Sequence, residues 1–164
     1  MVTDHSSNIR KVAIGQGIGN IIANGLIAWV LLKDRDKLAL WSFDGVAFDV
    51  AITCLLLPLI VSWIVIATQK SGLKKGKLTS VEPDPDRGLH RLLLKSPSAT
   101  GWSAVCFGLF GLLVLAPVTL LGFQVLGIHS IAAMDYVIFK ALWTGVMAVL
   151  VVIPGIQIAL LRRD

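Results

Sequence analysis

Four stretches of this 164-residue chain are apolar on all sides and long enough to cross a bilayer. They run from about Val12 to Leu32, Phe48 to Thr68, Gly101 to Leu121 (or on to Leu126) and Tyr136 to Leu161. Crossing the hydrocarbon takes about 20 helical residues at a rise of about 1.5 Å each, and each stretch meets that length. A soluble amphipathic helix would keep one polar face, which these lack. The pattern predicts an all-α polytopic membrane protein: one membrane domain over 1–164, four transmembrane helices, and one sizeable connection over 69–100. The apolar run after Arg10-Lys11 exceeds a signal-peptide core and no small-residue cleavage site follows it, so it reads as a retained first helix.

Composition agrees with this pattern. Charged residues are 15% of the chain, against about 25% in soluble domains, and mean hydropathy is +0.80. The net charge of +5 comes from basic residues that flank the apolar stretches. Lipid phosphate is therefore the expected partner of these charges. Basic and aromatic residues do not interleave as they do in single-strand grooves, so no nucleic-acid partner is expected. Placing both termini and the second connection on one side puts eleven Lys and Arg there. Only Lys33, Arg35 and Lys37 fall in the first connection, and none in the third. The positive-inside rule then predicts cytoplasmic N and C termini.

The second connection begins basic, from Lys70 to Lys77, and is broken by Pro83 and Pro85. Arg87, Arg91 and Lys95 then recur every four residues, with Leu89, Leu92 and Leu93 opposite. That spacing predicts a short amphipathic helix, lying on anionic headgroups of the inner leaflet or binding a partner. Gly45–Ile52 and Ile131–Ile138 open the second and fourth stretches alike, each with one aspartate, Asp49 and Asp135. This suggests a parallel duplication of a two-helix hairpin, although an aspartate also suits the N-terminal end of any helix.

Helix one carries Gln16, Asn20 and Asn24 at four-residue intervals, beside a small-residue stripe of Gly15, Gly19 and Ala23. Lipid satisfies no amide, so this face should meet protein. It is either a packing seam, within the bundle or between protomers, with interhelical hydrogen bonds, or the lining of a solute path. Asp49 with Thr53, and Asp135 with Lys140, place ionisable groups at the outer ends of helices two and four. Ionisable groups inside a membrane are functional candidates, with capping as the alternative. Lys140 should snorkel outward or pair with either aspartate. Pro58, Pro117 and Pro154 are expected to kink their helices, and Gly108 and Gly111 to allow close packing.

Interface anchoring accounts for Trp29, Trp41, Trp63, Trp102 and Trp143, and Cys54 and Cys106 read as small buried hydrophobes. No zinc, haem, nucleophile-elbow or P-loop signature is present, so no enzyme activity, metal or cofactor is expected. The Asn20-x-x-x-Asn24 pair with Trp29, Asp49 with Thr53, Ala116-Pro117-x-Thr119-Leu120, Phe139-Lys140 and Pro154 resemble those of small bacterial four-helix inner-membrane proteins, loosely termed permeases. The resemblance implies a bacterial cytoplasmic membrane and no particular substrate. Two functions stay open: a transporter or channel-like permease acting as an oligomer, and a structural or assembly subunit of a larger membrane complex.

Overall fold

The computed structural model of the protein describes residues 5–82, 84, 88–95 and 99–161, without the side chains of His5, Ser6, Leu89 and His90. Helix α1 spans His5–Leu32 and α2 Val46–Lys74. The short α3 covers Gly88–Leu94. The third crossing comprises α4 (Thr100–Phe110), a π-helical turn (Gly111–Leu115) and α5 (Ala116–Val125). Helix α6 spans Ala133–Leu160. Four helices are thus long and apolar enough to cross a bilayer, and the chain is an all-α, multi-pass integral membrane protein.

The crossings form a row. Helix α1 packs along α6, α6 along α2, and α2 along α4, the π turn and α5. Half of the apolar window is buried in each of α2 and α6, against 11% in the first crossing and 22% in the third. The second and fourth crossings are therefore central, and the other two flank them.

The ends of the row are tied differently. Strand β1 (Lys37–Ala39), in the first connection, pairs antiparallel with β2 (Ser130–Ala132), in the third, in the register Lys37↔Ala132. The Leu40 N–H donates to the His129 carbonyl and extends the junction. At the opposite end Val81 bridges to Leu161, its N–H donating to the Leu160 carbonyl at 2.8 Å. The first and third connections thus share one end, the β end. The second connection and the last turn of α6 share the other, the α3 end. This is the arrangement four alternating crossings require.

The row order first–fourth–second–third maps onto its own reverse when the two hairpins are exchanged. A two-fold axis along the membrane normal would produce that order. The β1–β2 pairing, centred on Leu38↔Ile131, lies where the axis would pass.

Backbone approach explains the contact of α2 with the third crossing. Pro58 has no N–H, so the Cys54 carbonyl lacks its usual helical donor. Gly111 packs at that spot: a Cβ there would collide with the Cys54 carbonyl oxygen and lie 2.9 Å from the Pro58 ring. Gly108 sits similarly over the Leu55 carbonyl, at 2.9 Å from a built Cβ. The π turn lies immediately before Pro117 and includes Leu113, four residues upstream, whose carbonyl a regular helix would crowd against the ring. Helices α2 and α6 continue past Pro58 and Pro154.

On α1 the small-residue stripe is not a seam within the chain. Gly15, Gly19 and Ala23 are exposed, and a Cβ at either glycine would meet nothing within 4 Å. The contact with α6 uses different positions, Gly17 against Val149 and Gly25 against Ala141, while Gly145 of α6 receives Ile21. The seam within the chain thus lies to one side of the stripe.

Two smaller expectations also change. Cys106 is exposed, whereas Cys54 is buried. Trp143 lies ten residues into α6, about 15 Å along its axis, so it is no boundary anchor. It stacks on Phe139 at 5.8 Å instead. In α3, Leu93 is buried against Ile66 and Ile158 while Leu92 is exposed. Arg91 and Lys95 are exposed, and Arg87 lies outside the described residues.

Gly111→Ala should lower the stability of the detergent-solubilised protein by about 1–3 kcal/mol, because backbone cannot give way as a side chain can. Gly19→Ala should stay within about 1 kcal/mol of the parent, on the stabilising side, from helix propensity alone. Thermal unfolding followed by far-UV circular dichroism measures both.

Candidate functional site

Residues four apart share one face of a helix, so Tyr136, Lys140 and Thr144 line up on α6. That face is buried: Tyr136 is 1% exposed, Lys140 6% and Thr144 0%. Lys140 lies seven residues inside α6, about 10 Å along its axis. A lone lysine at depth in a membrane helix costs about 3 kcal/mol or more, so its ammonium needs a partner. Asp49, in the first turn of α2, supplies it. Lys140 Nζ donates to Asp49 Oδ1 at 2.6 Å and to Oδ2 at 2.7 Å, and the Tyr136 hydroxyl also donates to Oδ2.

The two aspartates therefore differ. Asp49 is clamped between two side chains of α6, whereas Asp135 is exposed and lies outside this cluster. Thr53, one turn beyond Asp49, is buried at 8% exposure and does not line the adjoining cavity. Sequence reasoning paired Lys140 with an aspartate but missed Tyr136. The signal available was its four-residue spacing from Lys140.

The cluster forms the base of a cavity of about 310 Å³ at the β end, bounded by α1, α2 and α6. Its walls include Ala28, Leu31, Phe48 and Ile52, and its rim carries Arg35 and Asp44. These two form an exposed ion pair at 2.7 Å. The hydrogen bond from Arg35 holds the Asp44 carboxyl below its ordinary value. Because the folded value is the lower one, the pair is intact at neutral pH and above and opens on acidification through that value. A second crevice of about 390 Å³, between α1 and α6, is lined only by glycines and aliphatic side chains, among them Gly17, Ile21 and Val149. Of these two, the first offers charge among the membrane-spanning residues.

The amide stripe leads away from this cavity. Ala28, four residues beyond Asn24, lines it. At the far end of α1, Asn8 donates to Gln69 of α2 at 3.2 Å. The stripe therefore follows the groove between α1 and α2, with α6 as its floor. Its amide hydrogen bonds run along α1 itself. Asn20 Nδ2 donates to the Gln16 carbonyl at 2.9 Å, and Asn24 Nδ2 to the Asn20 carbonyl at 3.2 Å. The Thr144 hydroxyl has one proton and takes the Lys140 carbonyl at 2.8 Å in preference to that of Asn20 at 3.5 Å. All three residues of the stripe are half-buried, and the Asn20 and Asn24 amides bond within their own helix rather than across to another.

The described residues contain no metal-binding cluster of His, Cys, Asp and Glu. What the cavity can do is hold a polar group of a small molecule at Asp49 while apolar walls receive the remainder.

The two halves of the ion pair should respond unequally to mutation. Asp49→Asn leaves a lysine with 8% side-chain exposure without its counter-ion, whereas Lys140→Met leaves a carboxylate that is 38% exposed. The first should cost about 2–3 kcal/mol and the second about 1, with the double variant recovering part of the loss; a double-mutant cycle by thermal unfolding reads the difference. Comparison of the chain with protein-family profiles, with curated proteins and with solved structures finds no match in any of the three, so the functional reading rests on the chemistry of this cavity.

Proposed function

We propose that the protein is a permease-like transporter for a small polar solute, acting as an oligomer, with the Asp49–Tyr136–Lys140 cavity as its solute site. The observation that carries this reading is the ion pair itself. A packing contact between α2 and α6 could be made from aliphatic side chains at no desolvation cost, and a buried ion pair is weak as a source of stability. Here its carboxylate opens into a cavity of the size range that binds small molecules. By the positive-inside rule the β end faces outward, so solute enters from outside the cell.

The row supports the oligomer. Helices in a single row do not wrap a path, and the groove marked by Gln16, Asn20 and Asn24 is open along one side. A second copy closing that groove would cover half-buried amides that lipid cannot satisfy. One observation favours the alternative of an assembly subunit: α1 packs closely along α6 alone and leaves its Gly15–Gly19–Ala23 face open to another helix.

In proteoliposomes on a supported membrane, a panel of amines, amino acids and carboxylates should include compounds that evoke transport currents. Asp49→Asn and the Asn20→Leu/Asn24→Leu pair should each reduce the initial current about tenfold or more. Silence across the panel, combined with fixed-stoichiometry larger subunits in native mass spectra, would replace this reading with the assembly subunit.

A further inference from the structure

The charges of the cavity are unequally available. Lys140 has 8% of its side chain exposed and Asp49 38%. At the rim, Arg35 has 47% exposed and Asp44 65%. In both pairs the carboxylate is the more open partner. At the rim Arg35 and Asp44 balance each other, and deeper in an entering group meets Asp49 before the Lys140 ammonium, so the charge offered at the base is negative. The walls are mainly apolar, and Phe48 and Tyr136 place aromatic rings beside Asp49. Aromatic faces attract cations.

We propose that the cavity takes a lipophilic amine, a protonated amino group on an apolar body, with the amino group donating to Asp49. This deepens the reading of the cavity as a solute site and rests on it. A carboxylate accepts about four hydrogen bonds. Lys140 contributes two contacts and Tyr136 one, which leaves a position for a further N–H. Lys140 then has two roles. It occupies Asp49 when the cavity is empty, and its ammonium repels the amine that arrives. Lys140 is a tethered competitor of the ligand, and it sets the affinity low enough for release.

A free amine and the headgroup of phosphatidylethanolamine carry the same amino chemistry. Nanodiscs with and without that lipid separate them: an apparent affinity for a free amine that falls when the lipid is present assigns the site to the headgroup, and an unchanged one assigns it to the free amine.

The experiment is calorimetric titration of the full-length protein in nanodiscs with phenethylamine, with phenylethanol and 3-phenylpropionate as the neutral and anionic counterparts. Phenethylamine should bind saturably and the other two at least about tenfold more weakly. Asp49→Asn should weaken the amine about tenfold or more, and Asp49→Glu, which keeps the charge, should retain most of its affinity. Lys140→Gln, which keeps a donor for Asp49 and removes the competing charge, should strengthen amine binding about threefold. A role for Lys140 in packing alone predicts weaker binding instead. Variants are compared only as monodisperse, helical preparations, and Asp49→Glu and Lys140→Gln remain decisive if Asp49→Asn does not fold. Equal or tighter binding of 3-phenylpropionate, or loss of amine affinity in Lys140→Gln, overturns the proposal. Amine binding without flux leaves the site assignment standing and removes the transport reading. Flux of carboxylates without amine binding does the reverse.

Discussion

The contact on which the arrangement turns is the ion pair of Lys140 with Asp49. An ammonium seven residues inside a membrane helix cannot be left in hydrocarbon, so α6 must keep that face against something that carries negative charge. Asp49 stands in the first turn of α2, and the pair fixes both the rotation of α6 and its height relative to α2. Apolar contacts alone leave such degrees of freedom soft, because one aliphatic side chain slides past another at little cost. Tyr136, on the same α6 face, adds a second donor to the same carboxylate and narrows the permitted geometry further. With α2 and α6 fixed as the central pair, the flanking crossings each need only one neighbour.

Those flanking contacts rest on backbone proximity. In a bilayer, transfer from water no longer drives helices together, and close packing carries more of the association. Gly111 and Gly108 bring the third crossing against two α2 carbonyls, of Cys54, exposed by Pro58, and of Leu55, and Gly17 and Gly145 serve the contact of α1 with α6. The same physics accounts for the shape of the molecule. Each flanking helix has one small-residue seam toward the centre and a broad lipid-facing surface, so the result is a row rather than a closed bundle.

The crossings themselves were legible in the sequence, because their boundaries are set by charge and hydropathy. The structure moves those boundaries by only a few residues, as in α2, which continues past Thr68 to Lys74. The pairing of Lys140 with an aspartate was legible too, since burying one charge demands another. Which aspartate it chose was not. That choice depends on the row order, and nothing in the local pattern distinguishes Asp49 from Asp135. Which stripe of α1 packs inside the chain was not legible for a related reason. Gly15, Gly19 and Ala23 show the periodicity of a seam, but Gly17, Ile21 and Gly25 lie on the same helix at the same spacing. Only the position of α6 decides between the two. The β1–β2 ribbon carried no signal, being three residues on each side and held by backbone bonds.

The pseudo-two-fold order of the row sharpens the meaning of the site. If the hairpins are equivalent, Asp135 is the counterpart of Asp49, and the position matching Lys140 is Cys54 on α2. A symmetric molecule would therefore hold either two such pairs or none. This chain keeps a lysine in one half only, and one aspartate stays exposed while the other is drawn into a cavity. Stability does not require the asymmetry, because the buried Cys54 shows that a small uncharged residue is accommodated at the corresponding depth. Burying a charge pair in one half, and opening its carboxylate toward the β end, costs desolvation that an aliphatic pair would avoid. A site that binds a ligand gains from that expense, since a single accessible carboxylate fixes one orientation for the molecule it receives.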